Sequence, residues 1–151
     1  AMTDFVIMVD KIATMFVTGP EVVKTVLGEE VSFDELGGAM SHGKNSGVAH
    51  FAAKNEYQCM DIVKTLLSYI PQNSTEEPPI VETDDDPNRL DNNLINIVPE
   101  NPLQPYDMKE IIHSLVDNHI FFEIHEMFAS NVIVGFGRLN GRSVGIIASH
   151  P

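Results

Sequence analysis

The residue types able to do chemistry are six histidines, one cysteine and 22 acidic side chains. His113, His119 and His125 recur every six residues, a spacing that scatters them around a helix instead of aligning them. No His-x-x-x-His, Cys-x-x-Cys or His-Glu-x-x-His pattern occurs, so no metal site is expected. Cys59 alone cannot build a disulfide framework, and its place on the apolar side of a predicted helix reads as a buried, inert thiol. Serine, histidine and aspartate are all present, yet there is no Gly-x-Ser-x-Gly elbow. His42 and His50 flank Gly43-Lys44-Asn45-Ser46-Gly47, a turn-rich loop. Its backbone N–H groups could hold an anion. It lacks the spacing of a phosphate-binding loop, and an ordinary connection is the competing reading. Asp84-Asp85-Asp86 lacks the glycine and glutamate of a calcium loop and reads as solvated chain. Glu29-Glu30 falls at a helix end and reads as exposed.

Behind these residues stands a chain of 151 residues with 9 Lys+Arg against 22 Asp+Glu, a formal charge of −13. That length suits one domain or parts of two. The acidic balance argues against a nucleic-acid groove, which needs clustered Lys and Arg. At 43% hydrophobic residues the chain can build a core. No apolar run approaches the roughly 18–20 residues of a membrane span, and Ala1-Met2-Thr3-Asp4-Phe5 lacks the features of a signal peptide. A reducing, cytoplasmic compartment is expected (the mitochondrial matrix in a eukaryote).

The elements that must position these side chains alternate between strand and helix. Phe5–Val9 reads as a strand buried on both faces. Its position at the very start suggests that preceding elements are missing. Thr14–Val17 reads as a second short strand. Gly19-Pro20 opens a helix with Val22, Val23, Val26 and Leu27 as its apolar stripe, and Gly28 closes it. Ser32-Phe33-Asp34-Glu35 matches a capping box, leading Leu36, Ala39 and Met40 inward. Gly47–Ala52 reads as a strand. Asn55-Glu56-Tyr57-Gln58 is a second capping box before a helix over about 56–69, in which Cys59, Met60, Val63, Leu66, Leu67 and Ile70 recur at helical spacing.

Residues 74–100 then carry eight acids and one base, Arg89, and seven of nine prolines lie between Pro71 and Pro105. This reads as a linker with extended pieces such as Pro79-Ile80-Val81 and Leu94–Val98. A further capping box at Asp107-Met108-Lys109-Glu110 starts a helix facing inward through Met108, Ile111, Ile112, Leu115 and Val116. Phe121–Ile124 reads as weakly alternating. Asn140-Gly141 between two apolar runs marks a β-hairpin whose outer strand lacks the rest of its sheet. Composition and spacing thus describe an acidic α/β polypeptide with no self-contained active site.

The ordered phrases Met2–Val9, Met15–Val26, Glu35-Leu36-Gly37-Gly38-Ala39, Ser46–His50, Leu67–Pro71, Gln104–Met108 and Val134–Ala148 resemble the carboxyltransferase (beta) subunits of propionyl-CoA carboxylases. The methylmalonyl-CoA decarboxylase alpha subunits and transcarboxylase share the pattern. The resemblance implies a crotonase-like α/β fold of stacked ββα units, with two domains per subunit. Residues 1–73 would be the C-terminal part of the N-terminal domain, 74–105 an inter-domain segment, and 106–151 the start of the C-terminal domain. It implies transfer of a carboxyl group between carboxybiotin and the α-carbon of propionyl-CoA. The enolates would be stabilised by backbone N–H oxyanion holes, which the resemblance places just before Ala1 and well beyond Pro151. The chain alone is therefore expected to be inactive. Biotin borne on a carrier, a biotin carboxylase and a hexameric homo-oligomer are the implied partners.

Glu21, Glu29 and Glu30 fall where related hydratases carry acid/base glutamates; here helix capping and surface solvation are the preferred readings. Gly19, Gly37, Gly38, Ser46, Gly47 and His50 are the candidates for walls of an acyl-CoA or biotin cleft, with tight packing as the alternative for the glycines. From a different class stands a non-catalytic acidic interaction module whose segment 74–100 docks a basic partner.

Overall fold

A computed structural model of the chain describes residues 3–101 and 103–151. Met2 of the opening phrase and Pro102 of the acidic segment lie outside the described residues. The chain divides into two compact units. One comprises residues 1–63 and 125–129; the other comprises 64–124 and 130–151.

In the first unit, strand β1 (Ile7–Val9) pairs in parallel with β2 (Phe51–Ala53), with Met8 opposite Ala52. A parallel pair needs a crossover, and helices α1 (Pro20–Leu27), α2 (Phe33–Gly37) and α3 (Ala39–Ser41) supply it. Pro20 occupies the first turn of α1, and Gly28 ends it in the left-handed conformation, its N–H donating to the Lys24 carbonyl. The capping box that opens α2 forms in both directions: Glu35 N–H donates to Ser32 Oγ, and Ser32 N–H donates to Glu35 Oε2. The Ser32 N–H and the Ser32 hydroxyl, both donating to Glu35 Oε2, hold the Glu35 carboxyl below the usual carboxylate range. The core is small: Met8, Ala39 and Ala49, with Val6, Ala13 and Ala52 packed around them.

Helix α4 (Glu56–Leu67) starts with one bond of the expected capping box, Gln58 N–H to Asn55 Oδ1; the return bond to Gln58 Oε1 comes from Lys54 N–H and not from the N-cap Asn55, so the box does not close on itself. In the second unit, α5 is a single turn (Leu94–Ile97) and α6 runs Met108–Leu115. Strand β3 (Phe122–Ile124) pairs antiparallel with β4 (Val132–Leu139), which forms a hairpin with β5 (Arg142–Ser149). Asn140 and Gly141 both have positive φ, as a type I′ turn requires. The buried Asp117 carboxylate accepts the N–H groups of both turn residues, at 2.9 and 2.6 Å. Ile112, Val116 and Ile133 form the core here.

The structure corrects several expectations. Thr14–Val17 is not a strand. Thr14 makes one isolated bridge to Gly38, Phe16 turns onto Phe33 at 5.8 Å, and Val17 is fully exposed. A short apolar run cannot make a strand without an edge to pair with. On α1 only Val23 of the predicted stripe is buried, and Met40 is exposed. Residues 47–50 lead into β2 without belonging to it, and Cys59 is half-buried. Leu94–Ile97 is helical, not extended, because Asp91 gathers the chain: its carboxylate accepts Asn93 N–H and its carbonyl accepts Leu94 N–H. Asp107 caps α6 through Lys109 N–H at 2.8 Å.

The acidic segment is anchored within its own unit. Arg89 donates through Nε to Asp85, through Nη1 to the Ser114 carbonyl at 2.6 Å, and through Nη2 to the Val116 carbonyl at 3.0 Å. Asn118 N–H completes the clasp by donating to Asp85 Oδ2 at 2.8 Å. Among the described residues no helix is long and apolar enough to cross a membrane.

Candidate functional site

The chain from α3 to β2 carries three of the predicted site residues. After α3 the helix widens into a π turn, His42–Ser46, which Gly47 closes with φ 67°. A β-carbon on Gly47 would also stand 2.7 Å from Phe128 Cε1, so the close approach of that ring excludes a side chain here.

The π turn brings His42 and Ser46 together, with Nδ1 to Oγ at 2.8 Å. The other ring nitrogen, Nε2, meets the Met15 carbonyl. A carbonyl only accepts, so Nε2 carries the proton; the Nδ1 lone pair then accepts the Ser46 hydroxyl proton. The Met15 carbonyl is itself positioned by its neighbours. Met15 N–H donates to the Gly37 carbonyl at 2.8 Å, and a β-carbon on Gly37 would lie 2.7 Å from Phe16 Cδ1 and 2.9 Å from the Met15 carbonyl carbon. Glycine at 37 thus lets the 14–16 backbone lie against α2. Ser46 is exposed and His42 half-buried.

His50 stands at the mouth of β2. Val6 N–H donates to its Nδ1 at 3.2 Å, which puts the ring proton on Nε2. Its ring lies 4.3 Å from that of His125 and edge-on to Phe5 at 5.3 Å. The His50 carbonyl accepts His125 N–H at 3.1 Å, and His125 Nδ1 is buried without a partner. Burial holds His50 below the ordinary imidazole value; the nearby His125 adds to this, and a hydrogen bond to the Val48 backbone opposes it. Both effects favour neutral imidazole.

The six predicted residues therefore lie in one unit. Ser46 and Gly47 sit on the π turn and its cap, His50 follows three residues later, and Gly37 and Gly38 join α2 to α3. Gly19 is the N-cap of α1, in ordinary contact with Phe16 at 3.6 Å. Sequence reasoning missed His42 as Ser46's partner, although their i,i+4 spacing was the signal. It also missed His125 and Phe128, which no local pattern links to residues 47–50. Glu21 lies in the first turn of α1, and Glu30 pairs with Lys24 at 2.6 Å. Among the described residues no cluster of three or more His, Cys, Asp or Glu could hold a metal. The second unit contains a cavity of about 350 Å³ lined by residues such as Asp86, Arg89, Asp91 and Asp117. Arg89 already donates to Asp85 and to the Ser114 and Val116 carbonyls.

Comparison with known proteins gives a consistent result. The sequence model of the carboxyl transferase domain family matches residues 1–151. The chain is 54% identical over 151 residues to the propionyl-CoA carboxylase carboxyltransferase subunit of Haloferax mediterranei, covering 100% of this chain and 29% of that protein. It is 49% identical over 151 residues to the methylmalonyl-CoA decarboxylase subunit alpha of Veillonella parvula, covering 100% of this chain and 30% of that one. A crystal structure of transcarboxylase 12S, described as a hexamer with hydrolysed methylmalonyl-CoA bound, matches with a TM-score of 0.95 and 44% identity. That match covers 99% of this chain and 29% of the other. The chain thus spans less than a third of the length of these relatives. The structural match bears out the α/β, crotonase-like fold class.

Proposed function

Since this chain belongs to the carboxyl transferase domain family, we propose that it is an internal segment of a biotin-dependent acyl-CoA carboxyltransferase. The reaction moves a carboxyl group between carboxybiotin and the α-carbon of propionyl-CoA, giving methylmalonyl-CoA. The observation that carries this reading is a match over the whole chain, at 54% identity, to a carboxyltransferase subunit. Removing a proton beside a thioester makes an enolate, and preorganised backbone donors lower its energy by several kcal/mol, on the order of 3. Those donors lie outside these 151 residues in this reading, so the segment alone does not carry out carboxyl transfer.

Residues 1–73 belong to the N-terminal domain, 106–151 to the C-terminal domain, and 74–105 to the chain between them. Gly19, Gly37, Gly38, Ser46, Gly47 and His50 contribute to the wall of the acyl-CoA or biotin cleft. Lys44, Asn45, Ser46 and Val48 are exposed on and after the π turn, which fits a surface met by a group carried in from a partner. The carboxybiotin is a substrate delivered on a carrier protein and charged by a biotin carboxylase. The parent subunit works as a homo-oligomer in a soluble compartment.

The test is a transplant. The 151 residues replace their aligned stretch in a propionyl-CoA carboxylase beta subunit, and labelled bicarbonate incorporation into propionyl-CoA is measured with the biotin carboxylase and carrier present. The chimera is expected to retain activity within about tenfold, a loss of roughly 1.4 kcal/mol in the barrier. A correctly assembled chimera without detectable carboxylation overturns the proposal.

A further inference from the structure

We propose that Ser46 is a nucleophilic hydroxyl, with His42 as its general base, that accepts an acyl group from an activated donor such as a thioester. The inference rests on the proton assignment in the π turn. Because the Met15 carbonyl fixes the proton of His42 on Nε2, the Nδ1 lone pair faces Ser46 Oγ at 2.8 Å. That is the nucleophile–base–orienter sequence of an activated serine, with a peptide carbonyl as orienter and the two ring nitrogens in exchanged roles. The serine is exposed, so a donor can reach it, while the base is half-buried and held by backbone. Val48 N–H lies 3.4 Å from Ser46 Oγ and donates toward it.

The step balances without an outside reagent. Ser46 Oγ attacks the thioester carbonyl carbon as its proton passes to His42 Nδ1. The C–S bond breaks, and the leaving thiolate takes the proton back from Nδ1. A serine ester and a free thiol result; water then hydrolyses the ester by the same proton path. The same base serves both steps, but the thioester carbonyl is more electrophilic than that of the oxygen ester it becomes, so acylation is expected to outrun hydrolysis and the ester to accumulate. The chemistry needs neither biotin nor any residue outside this chain, so it can fail while the carboxyltransferase reading stands, and the reverse.

The experiment uses the intact 151-residue chain with excess propionyl-CoA, and in parallel with p-nitrophenyl propionate, followed by intact mass and peptide mapping. One propionyl group per chain on the peptide containing Ser46 is expected. Ser46→Ala should abolish that adduct, and His42→Gln should slow its formation by about 100-fold, the lower end of general-base contributions. Folding of each variant is checked by circular dichroism. Because Ser46 is exposed, its alanine variant keeps the test usable if His42→Gln unfolds. Folded wild-type chain that stays unmodified at Ser46, or folded His42→Gln that acylates at the wild-type rate, overturns the proposal.

Discussion

Replacing Gly47 by alanine separates two costs that the site imposes on that position. With φ at 67°, an alanine there enters the left-handed region, at about 1–2 kcal/mol. Its β-carbon also lands 2.7–2.9 Å from three atoms of the Phe128 ring, and overpacking of that kind costs about 1–3 kcal/mol more. The expected total is about 2–5 kcal/mol. Gly28 supplies the control: its φ is 73°, but nothing stands within 4 Å of a β-carbon built there. Gly28→Ala should therefore lose only the conformational part, about 1–2 kcal/mol. Urea unfolding followed by circular dichroism gives the global effect, and amide exchange at Ala39 and Ala49 reads the core of the same unit. Phe128→Leu in the Gly47→Ala background should recover part of the loss, since the two positions touch. Equal losses for the two glycine variants, within about 0.5 kcal/mol, would refute the steric part of this account; a neutral Gly47→Ala would refute both parts.

The remaining expectations concern charge. The folded unit holds His50 below its ordinary value, so neutral imidazole is the form the fold prefers. Stability from this group is present above the unfolded value of about 6.5 and is lost as pH falls through the lower folded value. The urea midpoint of the wild type should drop between about pH 7.5 and 5.5, and His50→Gln should flatten that drop. An unchanged slope in the variant would assign the acid sensitivity elsewhere. Arg89→Ala removes donors from two carbonyls at the end of α6, at 2.6 and 3.0 Å, and should cost about 2–4 kcal/mol. Amide exchange at Val116 and Asn118 should accelerate, with proteolytic cutting appearing near residues 80–92. Arg89→Lys, which keeps the charge but not the fork, should fall between alanine and wild type.

The parts of the fold that were legible in the sequence are those fixed by neighbours along the chain. The Ser32–Glu35 box, the Gly28 stop and the Asn140-Gly141 turn are each decided by a few adjacent residues, and all three form as read. Thr14–Val17 failed because a strand is defined by its partner, and here the neighbouring backbone offers one bridge at Gly38. The candidate site was legible as far as its loop. Its histidine chemistry was not, because His50 is tuned by His125, 75 residues further along, and Gly47 is filled by Phe128.

The acidic segment shows why composition misleads at this scale. Eight acids and one base average to a solvated linker, yet the single base decides the local structure. Arg89 stands four residues after Asp85 and reaches two carbonyls that α6 leaves without helical partners. The Asn118 backbone N–H and the Arg89 guanidinium hold the Asp85 carboxyl below the usual range, so the pair stays charged and engaged. A basic partner competing for this stretch would find Asp85 already paired, while Glu76, Glu77, Glu82, Asp84, Asp86 and Glu100 remain exposed. A docking role for the segment would therefore act through those six carboxylates and leave the clasp intact. Salt would weaken it, since exposed charges are screened within about 10 Å at ordinary ionic strength. The clasp, being partly buried, should persist at the same salt. Salt-dependent binding and salt-resistant anchoring are thus separable properties of a single stretch of chain.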